Sequence, residues 1–186
     1  MAELKKERHT LAVLVDNAAG VLSQVSRLFS RKGYNIESLA VGATDNPAVS
    51  RITVEVIADE EQISLLCNQL NKQFPVHSVK RLSPSHSIRR ELVLIKVKAE
   101  SPDSRNEIMQ IASIFRSSII DVSAQSLTVA VIGEEEKVFA IQDLLAPHGI
   151  LELVRTGIVA LERGSFTIDE ATKQKLEYDY AKASLW

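Results

Sequence analysis

Hydrophobic periodicity in this chain switches from the strand period to the helix period and back, in the same order, twice, and few folds satisfy that alternation. The first run, "TLAVLV" from Thr10 to Val15, is short, apolar and β-prone. Behind it Val21, Leu22, Val25, Leu28 and Phe29 recur on one helical face, while Ser23, Gln24, Ser26, Arg27, Ser30 and Arg31 fall elsewhere. Arg31 and Lys32 suit the dipole of the last turn, and Gly33 supplies a stop. Two strands follow, "NIESLAVGA" and "SRITVEVIA", joined by a turn at "TDNPA". Ile52, Val54 and Val56 alternate with Arg51, Thr53 and Glu55, which predicts an antiparallel sheet with one wet or differently covered face. A second helix from about Glu60 to Lys72 is expected to bury Ile63, Leu66, Cys67, Leu70 and Phe74, and "VHSVKRL" closes the unit. The order βαββαβ predicts four strands with two helices on one face, a ferredoxin-like sandwich.

"SPSHS", Ser83 to Ser87, is small, polar and aperiodic, and reads as a linker. Beyond it the order recurs. "ELVLIKVKA" is strand-like, Ile108, Ile111, Ala112 and Phe115 mark a helix face, and "IIDVSA" and "SLTVAVIG" are strands. Val138, Ile141, Leu144 and Leu145 mark a fourth helix, and "ILELVRTGIVAL" reads as one long final strand. A textual echo, "LFSRKGYNI" against "IFRSSIIDV", supports the repeat. The expected architecture is α+β: a module over 8–83, a linker over 84–90, a second module over 91–164, and a tail over 165–186. Thr167 precedes Glu170 at capping-box spacing, so the tail is expected to be a short helix carrying Tyr178, Tyr180 and Trp186.

Composition excludes several classes of function. With 186 residues, 45% of them hydrophobic, the chain has material for a substantial core. A net charge of −2 and a pI near 6.1 give no electrostatic footprint for nucleic acid or an anionic membrane. Apolar runs fall short of a bilayer span, and "MAELKKERHT" is not followed by a signal-type apolar region. The single cysteine, Cys67, rules out an internal disulfide framework and fits a reducing compartment, so a cytoplasmic location is expected.

No GxGxxG, Walker loop, HExxH or paired-cysteine motif is present. His9, His77, His86 and His148 lack ligand spacing and read as surface or turn residues. Asp121 and Ser123 have no histidine in a suggestive context, Cys67 fits a core position, and "GEEEK" at Gly133 reads as a turn into an acidic first helical turn. The stretch left without a chemical reading is "DNAAGVLSQVSRLFSRKGYNI", Asp16 to Ile36. Gly20 stands at the start of the first helix, where backbone N–H groups lack partners and the dipole is positive, so a carboxylate has room to approach. Asn17 and Asn35 each offer a donor and an acceptor to an amino-acid head group. Taken singly, each of these residues means no more than a turn.

"LVDNAAGVLSQVSRLFSRKGYNIESLAV" resembles the signature of the ACT domain, a small regulatory module that binds amino acids. With "SRITVEV", "EIMQIASIFRSSIIDVS" and "RTGIVALERG", the resemblance runs from about Thr10 to Gly164 and is to the regulatory (small) subunits of acetolactate synthase, also called acetohydroxyacid synthase. It implies an N-terminal ACT domain and a C-terminal ACT-like domain, and a non-catalytic role in branched-chain amino acid biosynthesis. It implies binding to a large catalytic subunit, activation of it, and feedback inhibition by valine. It further implies a homodimer through the ACT domains, with the effector at that interface on Asn17, Gly20, Val21, Leu22, Asn35 and Ile36. No cofactor is implied on this chain; thiamine diphosphate, Mg and FAD belong to the catalytic partner. The second module's turn, "AESPDSRNE", lacks counterparts of Asn17 and Gly20, so no second valine site is expected there. Two other readings remain. A free-standing ACT-type sensor of another enzyme keeps the site and changes the partner. An RRM-like RNA-binding module shares the βαββαβ order, but the strands "TLAVLV", "SRITVEVI", "LVLIKVK" and "SLTVAVIG" hold no aromatic residue on which a base could stack.

Overall fold

The computed structural model describes residues 6–168, and Cα proximity divides the chain into a first unit that runs to Ile88 and resumes at Ala160, and a second of Arg89–Val159. The first contains β1 (Glu7–Asp16), α1 (Val21–Lys32), β2 (Ile36–Ala43), β3 (Val49–Ala58), α2 (Glu60–Asn71) and β4 (Val76–Leu82). Its sheet has the order β2-β3-β1-β4 with antiparallel neighbours throughout. The second is built from β5 (Ser87–Lys98), α3 (Pro102–Ile114), β6 (Ser118–Val122), β7 (Ser126–Gly133), α4 (Glu135–Leu145) and β8 (Ile150–Arg155), in the order β6-β7-β5-β8. Both are βαββαβ modules of the ferredoxin-like kind.

Each module has its own core. In the first, Leu11, Val13 and Val15 of β1 and Ile52, Val54 and Val56 of β3 meet Val25, Phe29, Ile63 and Leu66 of the helices. In the second, Val93, Ile95 and Val97 meet Ile108, Ala112, Val138 and Ile141. Both modules stop their first helix by the same device. Gly33, at φ 73°, donates to Ser30 while Tyr34 donates to Phe29; Arg116, at φ 49°, donates to Ser113 while Ser117 donates to Ala112. The device registers Phe29 with Ala112, so the textual echo of Phe29 in Phe115 is out of step with the structure.

Several expectations need correction. Phe74 is 96% exposed, because α2 ends at Asn71 and the chain turns through Pro75 into β4. Leu22 and Leu144 are exposed, lying at the margins of their helix stripes. His9 is buried, because β1 begins before Thr10, and its Nε2 lies 3.0 Å from the Ala58 carbonyl. The segment read as a linker is a 3-10 turn, Pro84–His86, running directly into β5. The long final strand is broken: β8 ends at Arg155, Gly157 takes φ 79°, and a new strand, β9 (Val159–Glu162), follows. A left-handed residue does not continue a strand, and only glycine adopts it at little cost. The helix expected after Thr167 lies outside the described residues.

The second face of the first sheet is covered by the chain's own return. Arg51 donates to the Ala160 carbonyl at 2.6 Å, and Lys80 pairs with Glu162 and reaches the Thr167 carbonyl. Both members of the Lys80–Glu162 pair are largely withdrawn from water. Glu55, also buried, accepts from Thr10 at 2.9 Å and faces Arg8 at 3.7 Å.

Two outcomes are expected. Truncating one partner of a buried ion pair strands the other charge, so Glu162→Ala should destabilise the first unit by about 3 kcal/mol, read as a lowered urea midpoint. The paired change Lys80→Met with Glu162→Leu should cost less than Glu162→Ala alone; equal or larger loss contradicts the buried-pair account. Burial pushes the Cys67 thiol up to about 11, so near neutral pH it stays protonated. A thiol reagent should therefore label native protein only slowly and denatured protein at once; rapid native labelling contradicts this placement.

Candidate functional site

The chain leaves β1 through a turn tied down on both sides. Asp16 N–H donates to the Pro75 carbonyl at 2.9 Å, and Asn17 N–H donates to the Ala48 carbonyl at 2.8 Å. The Asn17 side chain adds a third tie, from Nδ2 to the Pro47 carbonyl at 2.8 Å, and His77 Nε2 lies 2.7 Å from Asp16 Oδ1. With its amide hydrogens turned toward Pro47, Asn17 has Oδ1 available as an acceptor.

Gly20 then opens α1 at φ 85°, where an L side chain is strained, although a Cβ built there meets nothing within 4 Å. The start of α1 has no side-chain cap and no acidic residue in its first turn. The other helix starts differ. Asp59 and Gln62 form a capping box on α2, Ser101 Oγ accepts from Ser104 N–H on α3, and Glu135 and Glu136 occupy the first turn of α4. Neither a capping side chain nor an acid of its own first turn thus offsets the positive end of α1. Val21 is buried beneath it, while Leu22 is 42% exposed and available to an apolar group.

Asn35 and Ile36 sit at the other end of the module. Asn35 Nδ2 donates to Glu37 Oε1 at 2.6 Å, and Ile36 begins β2 against the core. Within one chain Asn17 and Gly20 are not brought together with Asn35 and Ile36. The 12 residues of α1 separate them by about 18 Å at 1.5 Å per residue. The sheet imposes a similar separation: Asp16 partners Val49 and Ile36 partners Val56, about 23 Å apart along β3.

Among the described residues no group of three or more His, Cys, Asp or Glu side chains is placed to hold a metal, and no helix is long and apolar enough to cross a membrane. The Ser123 hydroxyl is engaged with Ser126 in a turn and forms no pair with Asp121.

Comparison with known proteins covers both modules. Residues 11–78 match the family model described as the AHAS small subunit-like ACT domain, and residues 90–164 match the model described as the small subunit of acetolactate synthase. A probable acetolactate synthase small subunit from Methanothermobacter thermautotrophicus is 42% identical over 168 residues, 90% of this chain and 100% of the relative. The acetolactate synthase small subunit of Mycobacterium bovis is 44% identical over 161 residues, 87% of this chain and 95% of the relative. The crystal structure of the small subunit from Thermotoga maritima superposes with a TM-score of 0.80 at 36% identity, covering 86% of this chain and 99% of that one.

Proposed function

Because the chain belongs to the family of acetolactate synthase small subunits and carries its ACT domain, we propose that it binds the large catalytic subunit, raises its activity, and makes it sensitive to feedback by valine. The reaction stays on the partner, with thiamine diphosphate, Mg and FAD; this chain supplies binding and regulation of branched-chain amino acid synthesis in the cytoplasm. The second module, whose α3 start is closed by Ser101, holds structure or contacts the partner and takes no valine.

The observation that carries the valine reading is the start of α1: led by glycine, uncapped, free of acid in its first turn, and beside the fixed Asn17. That arrangement suits a carboxylate. The rest of the site comes from a second copy. β2 is an edge strand, so two copies related by a two-fold axis lay their β2 edges antiparallel. The start of one β2 then lies beside the end of the other, and Asn35 and Ile36 of one copy approach Asn17 and Gly20 of its mate. Between them the carboxylate meets the α1 N–H groups, the asparagine Oδ1 atoms face the ammonium, and Val21, Leu22 and Ile36 surround the isopropyl group. The two ends, kept apart within one chain, become one site in the dimer. Titrating valine into a turning-over mixture of this chain with an acetolactate synthase catalytic subunit tests partner, activation and feedback together.

Gly20→Asp gives the sharpest outcome. At about 4 Å and an effective dielectric near 20, its carboxylate repels that of valine by roughly 4 kcal/mol. Dipole attraction for the new carboxylate offsets only about 0.3–1 kcal/mol of that repulsion. Valine inhibition should fall by orders of magnitude while activation survives. The left-handed backbone of Gly20 adds strain to any replacement, so Gly20→Ala is the control: it shares the strain, lacks the charge, and should lose far less valine sensitivity. Unchanged sensitivity in a folded Gly20→Asp subunit places the effector elsewhere.

A further inference from the structure

The six residues assigned to the effector carry no charge, yet a free amino acid brings two. Its carboxylate is matched by the positive end of α1. Its ammonium, with three donors, needs acceptors and a counter-charge, because a cation moved out of water into an interface is costly when unmatched. Two cations, Arg31 and Lys32, occupy the last turn of α1, the same end of the module as Asn35, and they increase that need. Asp16 does not meet it, since its carboxylate faces His77.

The strand that carries Asn35 and Ile36 holds a carboxylate at this place. The register of β2 on β3 slips between Ile36, which partners Val56, and Ser38, which partners Glu55, so Glu37 is the extra residue of a β-bulge. Bulges re-aim side chains. Here the result is visible: Glu37 turns back along the chain, and one of its oxygens takes the Asn35 amide at 2.6 Å. That bond uses one of the two N–H donors of the Asn35 amide and leaves Asn35 Oδ1 and the second carboxylate oxygen of Glu37 as acceptors close to it. Two acceptors, one of them anionic, are thereby set side by side at the start of an exposed edge strand.

The geometry points to Glu37 as the group that receives the effector's ammonium, across the dimer interface from the α1 start that receives the carboxylate. This deepens the valine reading above and rests on it. The ligand class is narrowed to zwitterionic α-amino acids: a 2-oxo acid with the same side chain presents a carboxylate to α1 and nothing to Glu37. The site would therefore respond to the aminated product and ignore its immediate keto precursor. Glu37 also holds Asn35, and the two roles separate experimentally.

The test is calorimetric titration of L-valine into the full chain, native and as Glu37→Gln, each also in an Asn35→Ala background. Glutamine retains an oxygen for the Asn35 amide and removes the charge. Glu37→Gln should weaken valine at least tenfold in both backgrounds, with circular dichroism unchanged, as expected for an exposed side chain. A change within twofold in the native background overturns the assignment. So does a loss that vanishes once Asn35 is alanine, because Glu37 would then act only by positioning that amide. If the native chain itself takes up no valine, the regulatory reading falls and this inference falls with it. Valine bound by native protein with an indifferent Glu37→Gln rejects the inference alone.

Discussion

A helix of 12 residues cannot be shortened to suit a ligand, and α1 fixes the logic of the first module by its length. At its start stand Asn17 and Gly20; past its end stand Asn35, Ile36 and Glu37. Phe29 and Val25 hold α1 to the sheet, and β3 runs beneath it as a second ruler of similar length. No side-chain rotation closes a gap of about 18 Å. Either the two ends serve separate purposes, or they meet across copies. An edge strand, β2, lies along one side of the module and permits the second arrangement through a two-fold axis.

Under the proposed reading the same geometry matches an amino acid's charges at both ends. The start of α1 at Gly20 has no side-chain cap and no acid in its first turn, where the other helices carry Asp, Ser or Glu near their starts. At the far end, a bulge sets a carboxylate against an asparagine. Under the proposed reading the protein is polarised along α1, and a zwitterion bridges the positive start of one copy to the acidic bulge of the other. Regulation then follows from mass action, since a ligand shared by two chains stabilises their association by an amount that rises with its concentration.

Much of this was legible in residues. Periodicity located all eight strands and four helices of the two modules, because each face must alternate at its own period to be buried. Chain reversals were harder. Gly157 sits in an apolar run whose composition continues through it, and only its left-handed backbone reveals the break before β9. Phe74 sat at a position expected to continue the α2 face, but the helix stops first. Gly20 and Asn17 were recognisable as candidates, whereas their distance from Asn35 follows from three-dimensional length. Glu37 was not legible, because a bulge has no compositional mark. In "NIESLAVGA" it reads as an ordinary outward strand residue, and its pairing with Asn35 arises from a register slip visible only once β3 is in place.

The central claim is that one effector site is built from two chains, and mixed dimers test it most directly. A Gly20→Asp chain and an Asn35→Ala chain each form dimers in which both sites are damaged. In the mixed dimer one site receives both changes and the other receives neither. At a valine concentration that leaves each parent unoccupied, equilibrium binding to a re-equilibrated mixture should recover one native-affinity site per mixed dimer. A mixture that binds no more valine than its parents, although mixed dimers are shown by mass to have formed, contradicts a site shared between chains.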